Sequence, residues 1–143
     1  MKRLHRKSSA GFTLIEILLV IIIVIALMAV LLPNVRTAMN DSKRGTAEMY
    51  INKLSGNLAL YEATNGRPPT TQQGLMALVV KPTTEPIPRK WTPREEKLEL
   101  DPWGKEYLYD SPGKHNLNGF DVYSAGPDGK PGTEDDIGNW TNN

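Results

Sequence analysis

An unbroken apolar segment from Phe12 to Leu32 constrains the fold of this chain more than any other feature. Its one charged residue is Glu16. A helix of about 20 residues rises about 30 Å, which matches the hydrocarbon core of a bilayer. The residues before it carry only basic charge, at Lys2, Arg3, Arg6 and Lys7. This pattern predicts a transmembrane helix over residues 12–33, with a cytoplasmic N-terminus by the positive-inside rule.

A secretory signal peptide is a less suitable interpretation of the same segment. The apolar run is longer than the 7 to about 15 residues of a signal core, and no small-residue cleavage site follows it. Glu16 leaves two alternatives open. It is either a shallow carboxylate in an ordinary signal anchor or the partner of a cation, because an unpaired charge in a membrane is costly. Cleavage between Gly11 and Phe12 would create such a cation at the new N-terminus.

The segment around this point, Ser-Ala-Gly-Phe-Thr-Leu-Ile-Glu-Ile over residues 9–17, resembles the leader junction of type IV pilins and pseudopilins. The resemblance implies that residues 1–11 are a leader, which a prepilin peptidase removes after Gly11 before Phe12 is N-methylated. A flexible role for Gly11 is the plainer alternative. The resemblance also implies that Glu16 and the Phe12 ammonium pair during filament assembly. We therefore expect polymerisation to depend on both residues.

The helix is expected to continue beyond the membrane to about residue 65, with a bend near Pro33. Apolar residues recur there at steps of three and four, which predicts an amphipathic stalk over residues 34–66 that packs on a domain. The repeating positions are Ala47, Ile51, Leu54, Leu58 and Tyr61. Asn65-Gly66 followed by prolines is typical of a helix end.

Residues 67–143 are expected to form a small α+β domain. Thr70 and Gln73 have the spacing of a capping box, which predicts a short helix with Leu75, Met76, Leu78 and Val79 on its apolar face. Two short strands are predicted at residues 107–109 and 120–123, between turns that contain Gly, Pro and Asn. The expected fold is a long N-terminal helix packed on an antiparallel sheet of about three strands.

Residues 125–137, which we call the acidic loop, contain little apolar material and several carboxylates. The acidic side chains are Asp128, Glu134, Asp135 and Asp136. These groups would repel one another if held together, and a hard cation with oxygen ligands, such as Ca²⁺, would relieve the repulsion. The spacing is not that of an EF-hand, because Lys130 and Gly132 fall where ligands are required. Composition alone leaves a solvated loop and a metal site equally open.

Several motifs beyond the leader junction resemble the major pseudopilin family of type II secretion systems. They are Pro-Thr-Thr-Gln-Gln-Gly-Leu-Met-Ala-Leu over residues 69–78, Asp-Pro-Trp-Gly over 101–104, Gly-Pro-Asp-Gly over 126–129 and Asp-Asp-Ile-Gly over 135–138. The family implies a type IV pilin-like fold with calcium in the acidic loop. Its motif positions imply side-chain ligands at Asp128, Asp135 and Asp136. They also imply backbone carbonyl ligands at Ala125, Lys130 and Thr133.

The resemblance implies a filament subunit that drives export of folded proteins, not an enzyme. Its implied partners are copies of itself, the prepilin peptidase, minor pseudopilins, an inner-membrane assembly platform and an outer-membrane secretin. The implied location is the bacterial inner membrane, with the domain in the periplasm. A pilin of an adhesion, motility or DNA-uptake fibre is the alternative, although such pilins commonly carry a disulfide and this chain has no Cys. A monomeric, uncleaved calcium-binding module is a third possibility. With a net charge of +1, the chain lacks the basic surface that nucleic-acid binding requires.

Overall fold

The computed structural model describes residues 11–140, apart from the side chains of residues 30–34 and 36. The expected leader therefore lies, except for Gly11, outside the described residues. Helix α1 covers Leu14–Asn65. The chain divides into two compact units, the first ending at Met39 and the second beginning at Asn40.

Within the part of the chain that the structure describes, no helix combines the length and the apolar character of a membrane span. The expected span over residues 12–33 and the bend at Pro33 stay predictions.

In the second unit, α1 supplies one wall of the core through the predicted stripe. Ala47, Ile51, Leu54, Leu58 and Tyr61 are all at most 3% exposed. The helix ends where Asn65 is followed by Gly66, which has φ 78° and donates its N–H to the Glu62 carbonyl at 2.7 Å. The amphipathic pattern and the helix end were thus both readable from the sequence.

The capping box after the stalk forms as predicted, but the element that follows differs. Thr70 N–H donates to Gln73 Oε1 at 3.0 Å, and Gln73 N–H donates to Thr70 Oγ1 at 3.2 Å. Gly74, with φ 59°, then ends the turn, and only a 3₁₀ helix, Leu75–Leu78, follows. The prediction that Met76 lies on the apolar face is wrong: Met76 is 52% exposed and Ala77 is buried instead. A 3₁₀ helix has three residues per turn, so Leu75 and Leu78 share a face that Met76 does not.

The sheet has three antiparallel strands in the order β1-β2-β3. Their bounds are Leu108–Asp110 for β1, Asp121–Ser124 for β2 and Ile137–Gly138 for β3. Strand β2 lies in the centre, and all four of its residues are buried. Strand β2 buries Asp121 and Ser124 as well as Val122 and Tyr123, so it is covered on both faces. The acidic loop connects β2 to β3.

Candidate functional site

The described N-terminal segment begins with a capped helix. Glu16 N–H lies 3.3 Å from Thr13 Oγ1, and the N–H groups of Glu16 and Ile17 lie 3.1 and 3.2 Å from the Thr13 carbonyl. Thr13 is therefore the N-cap of α1, and Phe12 precedes the helix. Thr13 was not among the residues predicted from the sequence, although Thr-x-x-Glu is a recognised start signal.

The large apolar side chains from Phe12 to Met28 are exposed. Phe12 is 76% exposed and Leu14 is 90% exposed. The residues from Ile15 to Met28 continue this surface, with every large apolar side chain at least 42% exposed. A contiguous apolar surface of this size marks contact with lipid or with other chains. The structure contains one chain, so a bond between Glu16 and the Phe12 amine of a neighbour stays a prediction.

The ends of the acidic loop are drawn together by strand pairing and by one glycine. Ser124 pairs with Ile137 across β2 and β3. Gly126 has φ 63°, and a Cβ built there would overlap the carbonyl oxygen of Asp135. Only glycine allows the two halves of the loop to approach this closely.

Three of the predicted calcium-binding residues meet at the exposed side of this loop. Asp128 Oδ1 accepts the Lys130 N–H at 2.8 Å. The Thr133 hydroxyl lies 3.5 Å from the same Oδ1 and 3.2 Å from the Lys130 carbonyl oxygen. Asp128, Lys130 and Thr133 thus lie close together, although the Thr133 oxygen of this cluster is the hydroxyl. The predicted ligand, the Thr133 carbonyl, accepts the Asp136 N–H at 3.3 Å. The role of these three residues as ligands stays a prediction.

Asp136 is the buried carboxylate of the loop, with 9% of the residue exposed. Its Oδ2 accepts the Gly132 N–H at 2.7 Å. Its Oδ1 is buried without a hydrogen-bond partner among the described residues. A buried carboxylate oxygen in this state is expensive unless a donor or a cation meets it. The orphaned oxygen therefore fits a cation ligand.

The two remaining predicted ligands, Ala125 and Asp135, are positioned by backbone contacts near the ends of the acidic loop. Ala125 is 4% exposed and directly follows β2, while Asp135 is half-buried and is placed through its carbonyl against Gly126. Within residues 11–140, no group of three or more His, Cys, Asp or Glu side chains is arranged to hold a metal ion. The predicted ligand set combines carboxylates with backbone carbonyls, an all-oxygen set of the kind that Ca²⁺ takes.

The loop that precedes β2, residues 111–120, is organised by a different carboxylate. Asp121 is 1% exposed and accepts the backbone N–H groups of His115 at 2.8 Å and Asn116 at 3.0 Å. Burial alone would raise the pKa of Asp121, but hydrogen bonds from these backbone groups outweigh it and hold the pKa below its usual value. His115 also stacks on Trp140, with ring centroids 3.8 Å apart.

A buried chain of hydrogen bonds connects the Asp-Pro-Trp-Gly turn to the acidic loop. Asp101 Oδ1 accepts the N–H groups of Trp103 at 3.0 Å and Lys105 at 2.8 Å. Asp101 Oδ2 accepts the Ser124 hydroxyl at 2.5 Å, and Ser124 Oγ accepts the Gly126 N–H at 3.0 Å. This connection was not predicted from the sequence, because Asp101 and Ser124 come together only in the folded sheet.

Comparison with known proteins places these features in a family context. The family model described as type II secretion system (T2SS), protein G, matches residues 34–140. The chain is 47% identical over 137 residues to the type II secretion system core protein G of Dickeya chrysanthemi, covering 94% of this chain and 88% of that protein. It is 42% identical over 144 residues to the protein of the same name from Pseudomonas aeruginosa, covering 97% of this chain and 100% of that protein.

A solved structure is also similar to this fold. It is the major pseudopilin from the type 2 secretion system of enterohaemorrhagic Escherichia coli. The two chains superpose with a TM-score of 0.68 at 42% sequence identity, over 73% of this chain and 88% of that chain. The similarity includes the sequence as well as the fold.

Proposed function

The chain belongs to the type II secretion system protein G family, and from this membership we propose that its mature form polymerises into the pseudopilus that drives protein export. It is a pseudopilin with a type IV pilin-like fold, and its role is structural. Of the three functional classes that the sequence left open, family membership supports the filament subunit of a secretion system.

One observation carries the proposal for assembly: the exposed apolar surface of residues 12–28 contains a single carboxylate, Glu16. In a filament, neighbouring copies would cover this surface and exclude water from Glu16. A buried carboxylate needs a cation, and the Phe12 ammonium created by cleavage after Gly11 is the candidate. Each copy would offer its amine to the next carboxylate, which would fix the register between subunits.

The test is a Glu16→Ala variant expressed with an active prepilin peptidase and the secretion machinery. Intact mass should still give a chain that starts at N-methylated Phe12, while pseudopilus yield and export of the secreted proteins are lost. Glu48→Ala is a matched control, since Glu48 is a partly exposed glutamate on α1 whose ion pair with Arg44, at 3.6 Å, is worth little. Normal filaments from Glu16→Ala would contradict the proposal.

The family is associated with the cell envelope, and we propose a more specific location for this member. The apolar segment of residues 12–33 would anchor the mature subunit in the inner membrane, with its domain in the periplasm. Prepilin peptidase would process it, and minor pseudopilins, the inner-membrane assembly platform and the outer-membrane secretin would be its working partners. The charge distribution around the segment supports this orientation.

Calcium binding in the acidic loop is the second part of the proposal. The side chains of Asp128, Asp135 and Asp136 would hold the ion, together with the carbonyls of Ala125, Lys130 and Thr133. A bound Ca²⁺ would supply positive charge that cancels the repulsion between the carboxylates. The orphaned Asp136 Oδ1 and the convergence of Asp128 with Lys130 and Thr133 support this set. The proposed role of the ion is limited to this stabilisation of the loop.

A further inference from the structure

Ser124 is the least exposed polar residue next to the acidic loop, and its hydroxyl has a defined hydrogen-bonding role. It lies in β2, is 0% exposed, and is the last residue before Ala125. An ionised Asp101 carboxylate can only accept, so the Ser124 hydroxyl donates to it. The Gly126 N–H can only donate, so the Ser124 oxygen accepts from it.

The geometry therefore points to Ser124, oriented by Asp101, as the positioning residue of the metal loop, an inference that rests on the calcium site proposed above. The Gly126 N–H and the Ala125 carbonyl belong to one planar peptide group. A hydrogen bond that fixes the N–H also fixes the direction of the carbonyl oxygen on the opposite side. Ser124 thereby aims the Ala125 carbonyl without touching the ion itself.

Asp101 makes this arrangement rigid. Its second oxygen is held by the N–H groups of Trp103 and Lys105, so the carboxylate cannot turn away from Ser124. Asp101 is 4% exposed, and water cannot readily replace the Ser124 hydroxyl. The same peptide group leads into Gly126, which sets the spacing to Asp135 across the loop. The turn at residues 101–104 is thus connected to the acidic loop through the buried Ser124 hydroxyl.

The test compares Ser124→Ala with Tyr109→Phe in the full-length mature protein in detergent micelles. Tyr109→Phe also removes a buried hydroxyl from the sheet, one that donates to the Pro69 carbonyl at 2.7 Å, but it leaves the acidic loop intact. Calorimetric titration with Ca²⁺ should give a dissociation constant raised about 10- to 100-fold for Ser124→Ala. Tyr109→Phe should keep the parental value.

A spectroscopic measurement distinguishes an effect on the orientation of the Ala125 carbonyl from an effect on the stability of the whole domain. With ¹³C at the Ala125 carbonyl, the parent should show a calcium-induced shift of that resonance, and Ser124→Ala should show a smaller one. Ser124→Thr retains the hydroxyl and should restore the shift. If Ser124→Ala does not fold, Asp101→Asn replaces it, because this change removes the acceptor that orients the hydroxyl.

The outcomes distinguish the two proposals. If Ser124→Ala, or Asp101→Asn in its place, keeps the parental dissociation constant and the full carbonyl shift, the positioning role is overturned while the calcium site stands. If the parent itself binds no Ca²⁺, the calcium proposal fails and the positioning role fails with it. Weakened binding together with a reduced Ala125 shift supports both.

Discussion

The two loops that flank β2 use carboxylates in opposite ways. Next to the loop before β2, residues 111–120, the Asp121 carboxylate is buried and accepts hydrogen bonds from backbone N–H groups of that loop. In the acidic loop after β2, Asp136 is similarly buried but keeps one oxygen without a partner among the described residues. Both oxygens of Asp121 therefore have hydrogen-bond donors, whereas Asp136 leaves room for a donor or a cation at Oδ1. A single strand thus connects a loop whose buried carboxylate is fully hydrogen-bonded to one whose buried carboxylate is not.

The largest expected effect comes from breaking the closure of the acidic loop. Gly126→Ala should destabilise the protein by about 3–5 kcal/mol, because the added methyl combines a positive φ with overlap at the Asp135 carbonyl. Denaturant unfolding measures this loss, and added calcium should not rescue it.

Gly129→Ala is the matched control for that change. Its φ of 65° is nearly the same, but the nearest atom to the new methyl is Lys105 Cε at 3.4 Å, the far end of a flexible side chain. We expect a loss of about 1 kcal/mol. Equal losses at Gly126 and Gly129 would show that backbone conformation, rather than the close approach to Asp135, governs the loop.

The next effect tests the loop before β2. Asp121→Asn keeps the shape of the side chain but replaces one acceptor oxygen by a donor, which should cost about 3 kcal/mol at pH 7 with or without calcium. The folded pKa of Asp121 is lowered, so its contribution is present above the unfolded pKa and is lost as the pH falls through the folded pKa. Once the pH falls below the lowered folded pKa of Asp121, the stabilities of parent and variant should therefore converge. A loss that calcium reverses would erase the contrast between the loops.

A smaller, conditional effect is expected in the acidic loop. Asp128→Ala should remove about 2 kcal/mol of stability at saturating calcium, since a ligand at 100 times its dissociation constant stabilises by about 2.7 kcal/mol. In a chelator the change should be about 0.5 kcal/mol, because Asp128 is exposed. Thermal unfolding with and without calcium checks this.

Glu134→Ala serves as the control for Asp128, being an exposed acid of the same loop that lies outside the proposed ligand set. It should leave the calcium response unchanged. A parental calcium response in Asp128→Ala would remove that residue from the set.

The smallest effect concerns the His115 ring. The backbone N–H of His115, rather than its ring, makes the shorter contact with Asp121, at 2.8 Å against 3.3 Å. His115→Ala keeps the backbone bond and loses the stacking on Trp140, so we expect a loss of about 1 kcal/mol in denaturant unfolding. A loss as large as that of Asp121→Asn would mean that the ring, and not the backbone, satisfies the carboxylate.

Features with a local signal could be predicted from the sequence. The stalk stripe from Ala47 to Tyr61, the stop at Gly66 and the Thr70–Gln73 capping box depend on residues a few positions apart. Met76 could not be placed correctly, because the apolar spacing did not reveal that the turn at Gly74 would yield a 3₁₀ helix.

The site residues divide in the same way. Asp128, Lys130 and Thr133 were singled out by their motif positions and lie close together, while their role as ligands stays a prediction. The burial of Asp136 and the Asp101–Ser124 contact depend on the register of β2 against β3 and on the turn at 101–104. Side-chain pairs of that kind have no fixed spacing along a chain, so a single sequence does not indicate them.

The hydrogen bond between Asp101 and Ser124 has a consequence for the order of events during folding. Its partners are far apart along the chain, and bringing them together carries a loop-closure entropy that only a formed sheet offsets. Ser124 can donate to Asp101 only when β2 and the turn at 101–104 lie side by side, and the proposed direction of the Ala125 carbonyl depends on that contact. If the acidic loop binds calcium as proposed, uptake of the ion would therefore report a domain whose sheet has formed.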